Sequence, residues 1–302
     1  MRNRPDGATA GRRPLERMQI VGIRYRGARP AETDERGLDA YEASGVYASA
    51  DVPFEIVEPR MPETERTGDE PRDLGTVNGR IADAVADGRR SGATILMTGG
   101  NCTHITGGIG GLQDAHGPGL RLGLVWFDAH GDFNTPRTST SGSLGGMPVA
   151  VAAGLAHPEW RERSHIVAPL STDRIVLVDV RHLDPAEERL IRATDTTITT
   201  MGDTLDEAVS RLSERCEALY LHVDADILDE RFVPSHGTKE PGGPDIAQTI
   251  SALDTVFATG KVVAFALVSI YNRGQEGRVS VASGIELLRG GLTSWAAHGT
   301  TV

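Results

Sequence analysis

Asp128-Ala129-His130-Gly131-Asp132-Phe133-Asn134 places two carboxylates and an imidazole at every second position of one short stretch. The stretch follows Leu122-Gly123-Leu124-Val125-Trp126-Phe127, an apolar run that reads as a buried strand of a parallel sheet. On extended backbone, residues two apart point the same way. Asp128, His130 and Asp132 are therefore expected to converge on one face at the strand's carboxyl end. Mixed oxygen and nitrogen donors of this kind form a cradle for a divalent metal. Polar loop residues capping the next helix would have the same composition.

A second apolar run, Leu219-Tyr220-Leu221-His222-Val223, also ends in carboxylates two apart, Asp224 and Asp226. Acidic side chains avoid apolar strand ends unless something offsets their charge. Four aspartates and one histidine at the strand ends of a single sheet suit two divalent cations, which in such sites lie about 3.5–4 Å apart.

The elements that must position these residues alternate. Strands are expected at Met18–Ile23, Pro53–Val57, Ala93–Met97, Arg174–Val178 and Lys261–Val268, besides the two acidic-ended runs. Helices are expected at Leu74–Ser91, Gly146–Gly154, Pro185–Arg192, Leu205–Cys216, Asp245–Phe257 and Gly277–Leu288. Arg24–Arg36 and Pro59–Asp73 read as polar loops. The alternation predicts an α/β fold, a three-layer αβα arrangement around a mostly parallel sheet. A site in such a sheet lies outside the carboxyl ends of the strands, where these clusters fall.

With 302 residues, 39% hydrophobic and 24% charged, the chain can bury one large α/β core. There is no internal repeat and no linker, so 16–302 reads as a single domain. Residues 1–15 carry arginines and small residues but no apolar signal core, and read as a disordered extension. A net charge of −11 argues against nucleic acid as a partner. No apolar stretch approaches the roughly 20 residues of a membrane span. The two cysteines, Cys102 and Cys216, form no disulfide framework and point to a reducing cytoplasm.

The D-A-H-G-D and D-A-D motifs, in this order and spacing, resemble the arginase or ureohydrolase family, dimanganese enzymes that hydrolyse guanidino and related amidine carbons. The resemblance runs from about Met18 to about Gly290. It implies the same three-layer fold and two Mn²⁺ per chain, held by Asp128, His130, Asp132, Asp224 and Asp226. In Gly99-Gly100-Asn101-Cys102 it places Cys102 where the family has a histidine ligand. A buried apolar cysteine is the other reading. A thiolate is softer than imidazole, so one ion would be held more weakly. His104 lies two residues on and reads as a core or solvated histidine.

Two cations lower the pKa of a shared water, and the hydroxide attacks the guanidino carbon. Asp132 is then placed to relay a proton to the departing amine. The resemblance further assigns Asn134, Ser141 and Ser143 to the substrate's α-carboxylate, Asp184 and Glu187 to its α-amino group, and Thr238 to the pocket. Turn chemistry and complementation of a helix N-terminus compete with those assignments. The implied partner is a small amino acid substrate, and the family's frequent trimers imply a possible homo-oligomer.

Two departures narrow the expectation. Gly145, in Gly145-Gly146-Met147-Pro148, replaces the family's proton-shuttle histidine. Ser269 replaces a glutamate that pairs with the substrate guanidinium; anchoring the match on Asn272 would put Ile270 there instead. Either way a charge-assisted contact worth roughly 1.5–3 kcal/mol is missing. A less basic N-hydroxyguanidine tolerates that loss. With the cysteine, these changes resemble the Nω-hydroxy-L-arginine hydrolases of antibiotic biosynthesis, as in the D-cycloserine pathway, which yield hydroxyurea and L-ornithine. Arginase or formimidoylglutamase-type activity is the alternative. A binding or regulatory homologue without catalysis would fit Gly145 and Ser269, but not a set of unpaired acids.

Overall fold

A computed structural model describes residues 11–302. Its strands are β1 (Met18–Ile23), β2 (Tyr25–Arg26), β3 (Arg29–Pro30), β4 (Phe54–Val57), β5 (Thr94–Gly99), β6 (Leu122–Phe127), β7 (Ile175–Val178), β8 (Thr197–Thr199), β9 (Ala218–Asp224) and β10 (Val262–Val268). The helices are α1 (Leu38–Ser44), α2 (Glu70–Arg90), α3 (Ile105–His116), α4 (Pro148–Ala152), α5 (Pro158–Arg163), α6 (Pro185–Arg192), α7 (Asp203–Arg215), α8 (Ile246–Phe257) and α9 (Gly274–His298). Eight strands form one sheet in the order β4-β1-β5-β10-β9-β6-β7-β8, while β2 and β3 form a separate hairpin. Every neighbouring pair in the large sheet is parallel.

The unbroken apolar runs follow from burial on both faces. Along β6, Leu124 and Trp126 enter a core with Val77, Ile81 and Val85 of α2 and Ile105 and Ile109 of α3. Val125 and Phe127 enter the opposite core with Val209 of α7, Leu253 of α8 and Leu288 and Trp295 of α9. The alternation confirms the expected three layers.

Helix α3 was absent from the sequence reading because Gly107, Gly108, Gly110 and Gly111 lie within it. Each glycine costs a helix about 1 kcal/mol relative to alanine. Close packing compensates: a Cβ at Gly107 would lie 2.7 Å from the Asn78 carbonyl oxygen, and one at Gly111 2.5 Å from that of Ala82. Helix α2 starts at Glu70, inside the expected loop, because the Asp69 side chain accepts from the Arg72 amide as an N-cap.

The expected disordered extension needs correction at its inner end. Residues 1–10 lie outside the described residues. Arg13, however, pairs with Thr300 through two 2.8 Å backbone hydrogen bonds, and Leu15 is buried. Among the described residues, no helix is long and apolar enough to cross a membrane.

Candidate metal centre

Strands β5, β10, β9 and β6 are consecutive neighbours at the middle of the sheet, so their carboxyl ends open onto one place. Phe127 pairs with Val223, and Asp224 pairs with Val268. The registers therefore bring Asp128 beside Asp224 as the two strands run out. Past β6 the backbone is not extended, as the sequence reading assumed. Asp128 Oδ1 accepts from the His130 amide at 2.7 Å, and Asp132 takes φ 47°. The Asp132 carbonyl accepts from the Val149 amide at the start of α4, 3.0 Å away, which anchors the turn. The turn delivers Asp128, His130 and Asp132 to two adjacent donor sets rather than to one face.

Three sets of donor atoms each lie within 4.8 Å of one another: Cys102, Asp128 and Asp132; Asp128, His130 and Asp226; and Asp224, Asp226 and His236. Asp128 belongs to the first two sets and Asp226 to the last two. Cys102 Sγ joins the group as well, 2.7 Å from Asp224 Oδ2 and 3.5 Å from Asp128 Oδ2. His104 does not: it is buried, with Nδ1 accepting from the Asn101 amide and Nε2 beside the Gly27 carbonyl, and burial pulls it down to about 4.

Asp128, Asp132, Asp224 and Asp226 are all buried, and none pairs with a lysine or arginine among the described residues. Burial, reinforced by the neighbouring carboxylates, pushes Asp128 and Asp132 well above the usual carboxylate range. Burial and the same acids raise the Cys102 thiol. Burial opposes ionisation of Asp226 too, but His130 and His236 hold it low. His130 Nδ1 faces Asp128 Oδ1 and Asp226 Oδ2, each at 3.2 Å. Those two carboxylates overcome burial and push the imidazole up to about 12. A basic lone pair aimed at two buried carboxylates needs a cation between them, a proton or a metal. The donor set thus fits divalent cations.

The remaining expected residues line a cavity of about 600 Å³ above these donors. Asn134 donates from Nδ2 to Asp184 Oδ2 at 3.2 Å, while its buried Oδ1 has no partner. Thr140 donates to the other Asp184 oxygen. Ser141 Oγ accepts from the Ser143 amide, and Ser143 Oγ from the Gly145 amide, each at 3.2 Å. Thr238 Oγ1 donates to Asp226 Oδ2 at 3.0 Å. Both Glu187 oxygens are taken by backbone amides, of Phe133 at 2.8 Å and of Asp184 at 3.2 Å. Glu187 forms a capping box with Asp184 at the start of α6, so here the helix-end reading describes the geometry.

Ser269 lines the cavity and Ile270 does not. At φ 62° the chain turns so that Ser269 Oγ donates to Asp224 Oδ2 at 2.5 Å, while Ile270 packs in the core. Gly145 lines the cavity without a side chain.

Several residues escaped sequence reasoning. His236 lies 3.3 Å from Asp224 Oδ1, though not aligned as a hydrogen bond. Burial works against its protonation, but Asp224 and Asp226 raise it to about 9. Buried Glu240 holds His130 Nε2 at 3.1 Å with one oxygen and His182 Nε2 at 2.7 Å with the other. Arg26 lines the cavity and stacks on Tyr271, 4.9 Å from the ring centre. The only advance signal was density of titratable residues around Thr238, in Ser235-His236-Gly237-Thr238-Lys239-Glu240.

This is an α/β protein with donors and space for a metal pair at the carboxyl ends of its central strands. The profile of the arginase family matches residues 9–289, and the chain belongs to that family. It is 31% identical to the arginase of Neurospora crassa over 70% of this chain and 63% of that protein. It is 32% identical to arginase-1 of Sus scrofa over 70% of this chain and 65% of that one. The aligned part therefore spans less than two thirds of these relatives' length. Among solved structures, the arginase of Bacillus caldovelox matches with TM-score 0.78 and 25% identity, covering 92% of this chain and 98% of that one. The arginase of Entamoeba histolytica in complex with L-ornithine matches with TM-score 0.80 and 22% identity, over 92% and 99% of the two chains, a likeness of fold.

Proposed function

We propose that this chain is a dimanganese hydrolase of linear amidines whose substrate is Nω-hydroxy-L-arginine, split into hydroxyurea and L-ornithine. Cys102, Asp128, Asp132 and Asp224 would hold one Mn²⁺, and Asp128, His130 and Asp226 the other. The pair, when bound, supplies the Lewis acidity that makes water nucleophilic near neutral pH. Asp132, buried and lining the cavity, is placed to relay a proton to the ornithine nitrogen as its bond to the guanidino carbon breaks. Asn134 Oδ1, buried without a partner, is free to accept from the substrate's amino acid head group. Thr140, Ser141, Ser143 and Asp184 flank it.

The observation that carries the choice of substrate is Ser269. It occupies the wall of the cavity beside Asp224, with its proton committed to that carboxylate. No carboxylate from this strand end meets a guanidinium, and Arg26 adds a positive charge to the same cavity. A fully charged guanidinium is disfavoured there, whereas a hydroxyguanidine of lower basicity is not. The relatives' names favour L-arginine as the alternative.

The test is steady-state kinetics of Mn²⁺-loaded protein on Nω-hydroxy-L-arginine, L-arginine and N-formimidoyl-L-glutamate. A penalty of about 3–5 kcal/mol for arginine would lower its kcat/KM by some 10²–10⁴ relative to hydroxyarginine. Equal values for the two would refute the assignment.

A further inference from the structure

Cys102 has a neighbour that the reaction outlined above does not use. His222 lies within β9, two residues before Asp224, and is wholly buried. Its ring stacks on the indole of Trp126, with centroids 3.9 Å apart and planes 4° from parallel. Tyr220 meets it edge-on at 6.3 Å. The packing fixes the plane of the imidazole, and Nε2 lies 3.5 Å from Cys102 Sγ. The other nitrogen, Nδ1, is buried with no partner.

That asymmetry selects a tautomer. The ring is wholly buried and neither nitrogen has a carboxylate as a hydrogen-bond partner, so a neutral imidazole with one N–H is the form that the core accommodates. A proton on Nδ1 would strand a donor in the core. A proton on Nε2 is directed at the sulfur, and only a lone pair goes unused on Nδ1. An Nε2–H facing sulfur makes Cys102 an acceptor on that side. On its other side the sulfur meets Asp224 and Asp128, the proposed cation donors. Ligand atoms held by a hydrogen bond from behind keep their orientation and charge, and loss of such a support weakens a metal site.

We propose that His222 is a positioning residue that donates its Nε2–H to the Cys102 sulfur and holds it toward Asp128 and Asp132 as a cation ligand. The assignment rests on the reading of this cluster as a metal centre. It gives a wholly buried histidine, lodged in an otherwise apolar strand, a task tied to the cysteine. The two residues then act as one unit, a soft ligand with its own dedicated donor.

Cobalt(II) gives the test an optical readout independent of turnover. The full chain is loaded with Co²⁺ and scanned in the near ultraviolet for the thiolate-to-cobalt charge-transfer band. The band should be present in the parent and absent in Cys102→Ser. His222→Phe keeps the stack on Trp126 but has no N–H. It should move the band to longer wavelength, because the sulfur is then richer in electrons, and should speed release of one cation to a chelator about tenfold or more. His222→Gln, whose amide nitrogen can stand near the position of Nε2, should restore both. A band and release rate unchanged in His222→Phe would overturn the role of His222 and leave the metal centre standing. A parent that binds Co²⁺ with no band dependent on Cys102 would overturn cysteine ligation, and the role of His222 with it. Nitrogen-15 NMR of the unsubstituted protein gives a reading that needs no variant: a proton on Nδ1 of His222, in place of Nε2, would overturn the proposal.

Discussion

Removing Glu240 should loosen one cation without unfolding the protein. One of its oxygens hydrogen-bonds Nε2 of His130 at 3.1 Å, and the other lies 2.7 Å from Nε2 of His182. The first contact fixes the proton of His130 on Nε2 and leaves Nδ1 as a lone pair toward Asp128 and Asp226. In Glu240→Ala the ring can rotate or change tautomer, and its affinity for a cation falls. Loss of such an outer partner costs roughly 10- to 100-fold in metal affinity. That range corresponds to about 1.4–2.7 kcal/mol. The stability cost should be smaller, because the side chains of His130 and His182 are 26% and 54% exposed and water can take over the freed donors. The assay is competition for Mn²⁺ against a chelator of known affinity, with metal content read on the recovered protein and thermal unfolding followed alongside. Glu240→Gln retains an oxygen for His130 and should stay within a few-fold of the parent. Equal Mn²⁺ affinity for parent and Glu240→Ala would refute the argument. A large fall in melting temperature with unchanged affinity would make Glu240 a structural brace instead.

Other outcomes follow from the same geometry. Asp226→Ala removes a donor common to two of the three sets, so turnover should fall below detection and metal content below two ions per chain, as measured by elemental analysis after Mn²⁺ loading; full metal content would contradict the ligand assignment. Cys102→His should slow the loss of one Mn²⁺ to a chelator, since imidazole suits this ion better than sulfur; an unchanged rate would return Cys102 to the role of an apolar core residue. Glu35, buried among Arg29, Arg26 and Arg273, is the site of a pH effect on stability. Hydrogen bonds from Arg29 foremost outweigh burial and hold its carboxyl far below the ordinary value of 4.5. Its contribution is therefore full above 4.5 and is lost as pH falls toward the lowered value. Glu35→Gln should cost about 1.5–3 kcal/mol near neutral pH. Denaturant titrations should show this gap closing below pH 4.5, and a gap that is constant with pH would exclude the linkage.

The central strands were legible because parallel strands covered on both faces leave long apolar runs. The candidate donor cluster was legible because Asp128 and Asp224 interrupt such runs abruptly. His222 gave no such signal. It lies inside an apolar run, and its relation to Cys102 depends on packing across the sheet. Glu240 and His236 belong to a loop whose path only the folded chain defines. The choice between Ser269 and Ile270 could not be made by counting alternation, because the positive φ at Ser269 resets which side chain faces the cavity. Helix α3 hid behind its glycines, which fail as helix formers and succeed as contact surfaces against α2.

The buried aspartates without a lysine or arginine partner also bear on how long the polypeptide survives in a cell. A cation bound only by the folded form adds about 2.7 kcal/mol to folding at 100 times its dissociation constant. Increments of about 1–2 kcal/mol already change the steady-state amount of a protein several-fold, through degradation of the unfolded fraction. Ion supply would then act on abundance before it acts on rate. Newly made chains in a cell poor in that ion would be cleared rather than stored, and the proposed metal centre would also license its own scaffold to persist.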